Sequence, residues 1–592
     1  MVPGVHKGEG GSPYRYSHKI YNLHRFHIIM NPFQEEIVNQ LFKATNIPKS
    51  QIALSLETPP EPHLGDFSFP CFQLAKELKK SPVDIASSII IKLKPSRLIE
   101  RIEQKQAYIN FFISTKALAE STLKEILKNK KYGKTKTKPK KIVIEYPSPN
   151  TNKPLHLGHV RNILIGQSLS SILKFQGHKV FQVNLNNDRG IHICKSMLAY
   201  QLFGNQQKPN KKSDHFVGDF YVKFSQESAN NPNLETQAQE LLIKWESKDK
   251  QTRALWKLMN SWALLGFKET YKKLNLKFNK QYYESQIYNS SLPLIKKALS
   301  KGIFEKDEKG NIVADLSKYN LGKKVVLRAD GTSIYLTQDI ALAQIKESNF
   351  HPDLSIYVVA SEQEYHFQVL FKILSMLNIK TKNLHHLSYG MVYLPEGRMK
   401  SREGNVVDAD DLINEVISLA STIIKEKHQK LPKKELETRS RIIGLAALRF
   451  FILKFDPKHD FIYNPKESLS FEGETGPYLL YTYARIQSIL KKTKLPQKAS
   501  YTNLEEPIEK QLILQLSKFP STIKEAEEKY KLSLIASYLI NLSKTFNQLY
   551  HELPVLQSDK ETKAARLHLI KAVSSVLASG LSLLGIETLN EM

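Results

Sequence analysis

Cysteine is nearly absent: the 592 residues hold only Cys71 and Cys194. Two cysteines outside any CxxC pair exclude a disulfide framework and a thiolate zinc site, and they suit a reducing cytoplasm. Long apolar runs are missing too. No window approaches the roughly 18 uninterrupted apolar residues that a membrane span requires, and the N-terminus has no signal-type apolar region. Acids are in deficit, with 58 Asp plus Glu against 86 Lys plus Arg and a formal net charge of +28. Such an excess attracts polyanions, nucleic acid first, because neutralising phosphates releases condensed counterions. The plainer reading is a lysine-rich surface that is simply solvated. Hydrophobic content of 41% and charged content of 24% exclude wholesale disorder. At about 150 residues per domain, the length calls for about four domains.

Residues 1–29 differ from the rest: four glycines, many histidines and basic residues, and a single acid, Glu9. They read as an atypical extension, with translation starting at Met30. From there NPFQEEIVNQLFKA has helical spacing, with Ile37, Leu41 and Phe42 on one side. Residues 30–118 form a first unit of helices and short strands that includes AYINFFIS. Residues 119–141 read as a lysine-rich linker. Lys128, Lys130, Lys131, Lys134, Lys136, Lys138, Lys140 and Lys141 crowd into it without an acid among them, a self-repelling run that favours an extended path.

KIVIEY (141–146) suits a buried parallel strand, PSPNTNKP a loop, the next segment a helix from about Leu157, and KVFQVNL (179–185) the next strand. Strand, helix, strand is the unit of a doubly wound sheet, placed within residues 142–433. A helical insertion is expected over about 200–320, and from 434 to 592 the pattern is helical only. The fold class is therefore α/β, with a doubly wound, Rossmann-type catalytic domain, an α+β N-terminal domain and an all-α C-terminal bundle.

The sharpest local signal is His156-Leu157-Gly158-His159, where a strand hands over to a helix. Unpaired first-turn amides and the positive end of the helix dipole favour phosphate there. Two imidazoles three residues apart share a helix face and can donate to phosphate oxygens, while Gly158 lets a nucleotide approach the backbone. Alone, the pattern also fits an incidental His-x-x-His or half a metal site.

The wider context is more specific. EYPSPNTNKPLHLGHVRN resembles the signature of arginyl-tRNA synthetases, class I enzymes with a HIGH sequence at this turn. NDRGIHICKSMLAYQ, VLRADGTSIYLTQDIALA, YVVASEQEYHFQVL, GRMKSREGNVVDADDLI and FEGETGPYLLYTYARI follow in the family's order. The resemblance implies ATP-dependent activation of L-arginine to arginyl-adenylate, then transfer to the 3′ end of tRNA(Arg), with ATP and Mg2+ as cofactors, no dedicated metal site in the protein, a monomer and a cytoplasmic setting. It assigns catalysis to His156, His159 and Lys153, and ATP contacts to Leu157, Gly158, His366, Arg398, Met399, Lys400 and Ser401. Ser401 stands where the class I pattern has its second lysine, so Lys153 is taken as the replacement cation. Arginine binding falls to Asn150, Glu284, Tyr335, Asp339 and Gln363; a guanidinium wants carboxylates in fork geometry, and Tyr335 and Asp339 share a face if helical. Asn110, Phe111 and Phe112 are implied tRNA-elbow contacts, one phenylalanine of the two facing the core by strand alternation. Arg485 is the contact implied in the helical, anticodon-binding region.

Two other readings compete. A non-catalytic tRNA-binding relative would explain Ser401 but not the intact His156, His159, Glu284, Tyr335 and Asp339. A small-molecule nucleotidyltransferase would explain HxGH but has no need of the helical region after 434.

Overall fold

A computed structural model describes residues 30–379, 383–393 and 407–592. The expected extension at 1–29 and the basic segment Arg398, Met399, Lys400, Ser401 and Arg402 lie outside the described residues. The chain divides into two units, one ending at Ser114 and one beginning at Thr115.

In the first unit, the helix Pro32–Thr45 starts on Asn31, whose side chain accepts from the Gln34 amide (2.9 Å) while the Gln34 side chain accepts from the Asn31 amide (3.1 Å). This reciprocal cap, with proline at the first helical position, fixes where the helix begins. Phe33, Ile37, Val38 and Leu41 are buried, but Phe42 is 37% exposed. The expected stripe is thus corrected: Val38 takes the core position. Strands β1 (Phe67–Pro70), β2 (Ile99–Lys105) and β3 (Tyr108–Ile113) form an antiparallel sheet with β3 in the middle.

The second unit opens with the helix Thr115–Lys128, which buries Ala119, Thr122, Leu123 and Ile126. The linker expected over 119–141 is therefore shorter, because the apolar face of residues 115–128 docks on the C-terminal helices. Tyr132 is buried as well, its hydroxyl donating to the Leu516 carbonyl at 3.0 Å. The strands that follow are β4 (Lys141–Glu145), β5 (Lys179–Asn186), β6 (Lys280–Tyr283), β7 (Glu305–Lys306), β8 (Ile312–Asp315), β9 (Lys323–Leu327), β10 (Leu354–Ala360), β11 (Leu384–Tyr389), β12 (Val392–Tyr393) and β13 (Phe461–Ile462). Five form one parallel sheet in the order β11-β10-β4-β5-β6.

Helices occupy Ile191–Phe203, Ser213–Asn230, Asn233–Glu246 and Lys250–Lys273. The all-helical insertion expected over 200–320 is corrected beyond Lys273. There β6 completes the parallel sheet, and β7, β8 and β9 make an antiparallel sheet whose Ile312, Ala314 and Val326 enter a core with Ile340 and Leu370. Short strands separated by polar turns carry little periodic signal, so their register is a tertiary matter. The region after 434 is helical apart from β13, which pairs with β12.

Candidate functional site

In a doubly wound sheet, ligands bind beyond the carboxyl ends of the strands, where the strand order reverses. Here that point lies between β4 and β10, and the chain leaving β4 runs into the helix Leu157–Phe175. His156 caps this helix. Its Nδ1 accepts the Gly158 amide at 3.2 Å, and the Nδ1 of His159 accepts the His156 amide at 3.2 Å. The two rings lie 3.9 Å apart between centroids. Burial, then the nearby charge of Lys153, holds His156 down to about 3 despite Asp408. Burial, His156 and Lys153 hold His159 well below the usual imidazole range. Both rings are therefore neutral, and since each Nδ1 is an acceptor, each carries its proton on Nε2. The result is a pair of uncharged N–H donors at a helix start, beside a lysine.

The rings border a cavity of about 300 Å³ that also reaches Gly158, Asn162, Val359 and Tyr389. A Cβ on Gly158 would stand 3.0 Å from the His156 ring, so glycine protects the ring's position. Leu157, by contrast, is fully buried. A neighbouring cavity of about 190 Å³ holds Lys153, His156, His215, Tyr221 and Asp408. A larger one, about 710 Å³, lies against the C-terminal helices, with Arg441, Arg449 and Glu587 in its lining, away from the histidines.

The sequence reading missed the residues that hold this helix start in place. Arg161 is buried and donates to four carbonyls: Gly390 (2.7 Å), Met391 (3.1 Å), Pro457 (3.0 Å) and His459 (2.7 Å). Asn162 donates to the Val358 carbonyl (2.7 Å) and the Tyr389 hydroxyl (3.0 Å). On the other side, the Leu157 amide donates to the Val407 carbonyl (3.0 Å) and the Ala409 amide to the Leu155 carbonyl (2.9 Å). The sequence offered one signal for these, a charged Arg161 among the apolar Val160, Ile163, Leu164 and Ile165.

Asp408 caps the helix Ala409–Lys427. Next to it Asp214, His215 and Asp410 bring possible metal-ligand atoms within 4.8 Å of one another. A cation already sits among them: Lys212 Nζ lies 2.7 Å from Asp214 and 2.8 Å from Asp410, and Lys273 Nζ is 2.7 Å from Asp410. Burial pushes the Asp410 carboxyl up, but His215, Lys212 and Lys273 outweigh it and hold it far down. His215, whose Nε2 lies 3.3 Å from Asp408 and 3.8 Å from Asp410, is raised to about 10 by these acids. The donor set is that of an ion-pair cluster and does not fit a resident metal.

A second group of expected residues gathers at the ends of β5 and β6. Glu284 follows β6 and is buried. Burial pushes its carboxyl up to about 7, against the pull of Arg189. Arg189 Nη1 lies 3.7 Å from Glu284, its other terminal nitrogen pairs with Glu246, and its guanidinium stacks 4.3 Å from the Tyr288 ring. Asp188 accepts from the Ser285 amide (2.8 Å) and hydroxyl (2.7 Å), fixing the backbone beside Glu284. Tyr335 opens the helix Tyr335–Phe350 and is 66% exposed; Asp339 stands one turn on. Tyr221, which lines the smaller cavity with His156, is close enough to perturb the Tyr335 hydroxyl, as are Glu284 and Asp339. His366, expected at adenosine, lies against Asp339, with Nε2 2.6 Å from Oδ2. Asn150 bridges to Asn187 beyond β4 and β5, and Gln363 is an exposed residue just before the helix Glu364–Met376.

The proposed nucleic-acid contacts fare differently. Asn110 is buried and accepts from the Ser68 hydroxyl at 2.6 Å. Phe111 is fully buried, as alternation requires of one of the pair, and Phe112 is covered too, by the Arg101 guanidinium at 3.8 Å. Arg485 donates to Asn547 (2.7 Å) and lies over Tyr481 (4.7 Å) and Tyr550 (4.8 Å).

Comparison with known proteins adds an independent line. The profile of the class I (R) tRNA synthetase catalytic domain matches residues 122–464, that of the DALR anticodon binding domain residues 479–592, and that of the arginyl tRNA synthetase N terminal domain residues 31–113. The arginine–tRNA ligase of Treponema denticola is 44% identical over 559 residues, covering 91% of this chain and 95% of its own. That of Parabacteroides distasonis is 46% identical over 480 residues, 76% of this chain and 80% of its own. The Thermus thermophilus arginyl-tRNA synthetase structure superposes with a TM-score of 0.80 at 27% identity, covering 94% of this chain and all of that one. The capped His156–His159 turn at the sheet's switch point and the match over nearly the whole length lead to one conclusion: this chain belongs to the arginyl-tRNA synthetases, the class I synthetases with a DALR anticodon-binding domain.

Proposed function

We propose that the chain joins L-arginine to tRNA(Arg) in two steps: attack of the arginine carboxylate on the α-phosphorus of ATP gives arginyl-adenylate and pyrophosphate, and the terminal ribose of the tRNA then takes the arginyl group and releases AMP. The observation that carries this reading is the neutral histidine pair with both Nδ1 atoms engaged by backbone amides. Donors preset in this way meet the charge that develops on the phosphates at no reorganisation cost. Lys153 supplies the fixed positive charge, in the role of the lysine whose place Ser401 takes. Magnesium enters with the ATP, on its phosphate oxygens, since the Asp214–Asp410 cluster holds lysines.

Glu284 and Asp339 receive the guanidinium, Tyr335 closes over it, and Asn150 and Gln363 orient the α-amino and carboxylate end. Leu157 contributes only by anchoring the turn. Asp339, on a different element, is near enough for its charge to reach Glu284, which supports this arrangement. The first unit and the helices after 434 serve the tRNA elbow and anticodon, the enzyme acts as a monomer, and the chemistry belongs to the cytoplasm.

The test is ATP–pyrophosphate exchange with each amino acid, with and without tRNA(Arg). Exchange confined to arginine is expected. Intact tRNA binding without exchange under any condition would leave only the non-catalytic reading.

A further inference from the structure

Each acid of the arginine pocket already has a cation of this chain beside it. Glu284 faces Arg189 at 3.7 Å. Asp339 faces His366, with Nε2 at 2.6 Å from Oδ2 and both side chains 29% exposed. The two cations differ in one respect: a guanidinium does not give up its proton, whereas an imidazolium does so near neutrality. Bringing a substrate guanidinium to Asp339 puts a second positive charge against His366. That raises the free energy of the protonated ring, and the ring is open enough to water to discharge.

We propose that His366 is a proton-linked positioning residue, holding the Asp339 carboxylate while the pocket is empty and releasing a proton to solvent when arginine's guanidinium takes that carboxylate. The proton leaves from Nδ1. The neutral ring keeps its Nε2–H on Asp339 Oδ2, so the carboxylate stays oriented and its other oxygen is open to the guanidinium. This inference rests on the assignment of Asp339 to the guanidinium.

Other groups bear on the same titration. In the free protein the Asp339 hydrogen bond raises His366 above its ordinary value, against burial. His386 on β11 stacks on Phe367 at 4.4 Å and, with burial as the larger cause, is held down, so it contributes little charge near neutrality. Glu364 adds negative charge to this neighbourhood. Glu284, pushed up to about 7, also ionises more fully once a guanidinium arrives. Both His366 and Glu284 lose protons on binding, so arginine affinity rises with pH, by at most about tenfold per pH unit for each linked proton.

The experiment is titration calorimetry of the full chain with L-arginine near pH 6.5, in buffers of different ionisation enthalpy, on the wild type and on H366Q, E284Q and D339N. Glutamine places an amide N–H where Nε2 stood and cannot be protonated. The wild type is expected to release more protons than H366Q, while H366Q retains Glu284's share and E284Q retains that of His366. Equal proton release in the wild type and H366Q overturns the proposal. If D339N binds arginine as tightly as the wild type, the pocket assignment itself fails. Should H366Q fold poorly, the His366 imidazole followed by NMR decides: its pKa falls on saturation with arginine, or the proposal is wrong.

Discussion

A histidine near a phosphate is usually credited for its charge, yet at the start of the helix Leu157–Phe175 the physics runs the other way. Burial and Lys153 deprive His156 and His159 of their positive charge, and the backbone amides on Nδ1 then fix the tautomer. Two outcomes follow at this scale. His159→Ala is expected to slow pyrophosphate exchange by about 10²–10³ fold, the usual cost of one preset donor. Second, with His156 held down to about 3 and His159 well below the usual imidazole range, neither ring gains charge near neutral pH. The acid limb of arginine-dependent exchange is therefore expected to move in E284Q or H366Q and to stay in place in Lys153→Arg. Both histidines and Lys153 were legible as a motif. Their protonation states were not, because desolvation depends on what the fold places around them.

At the scale of elements, one helix organises the nucleotide end of the sheet. Arg161 ties it to the turn after β11 and to the segment before β13, and the backbone bonds at 155, 157, 407 and 409 tie it to the helix Ala409–Lys427. Arg161→Met keeps the apolar stem; the Pro457 and Met391 carbonyls retain the Gly390 and Phe461 amides, but the Gly390 and His459 carbonyls lose their donor. At about 1–3 kcal/mol for each buried group left unsatisfied, less whatever water recovers, a loss of about 3 kcal/mol is expected. Thermal unfolding checks it, and exchange falls with it because the cavity's Gly390–Met391 wall loses its anchor. Strands β4 and β5 were readable as apolar runs between turn signals. Strands β6 to β9 were not, since a four-residue strand such as KQYY has no period of its own and exists only through its partner β5.

Over the whole molecule, the net charge of +28 matters through its partner. Phosphate contacts release counterions, so tRNA affinity is expected to fall steeply with salt, by tenfold or more between about 50 and 200 mM. Arginine affinity, set by a partly buried pocket, is expected to change far less over that range. Filter binding for tRNA and calorimetry for arginine at matched salt would compare the two; parallel slopes would mean that the surface charge is not used for tRNA. Within the second unit, catalytic and C-terminal elements share buried polar bonds, such as His178 to Glu527 at 2.7 Å and the Ser168 hydroxyl to the Leu583 carbonyl at 2.9 Å. Those pairs are hundreds of residues apart and left no mark in the sequence.

By itself the sequence determined the class of chemistry and the order of the parts. Local rules reach the strand running into HxGH and the apolar residues at helical spacing, and the ordered blocks that resemble the arginyl-tRNA synthetases carry the chemistry. Tertiary structure decided what those rules cannot reach. It set which imidazoles are neutral, which acids already have cations, that Lys212 and Lys273 fill the site among Asp214, His215 and Asp410, and that Phe111 and Phe112 are both covered. The reason is physical: charge state and burial are sums over neighbours brought together by the fold, and those neighbours are distant in the chain.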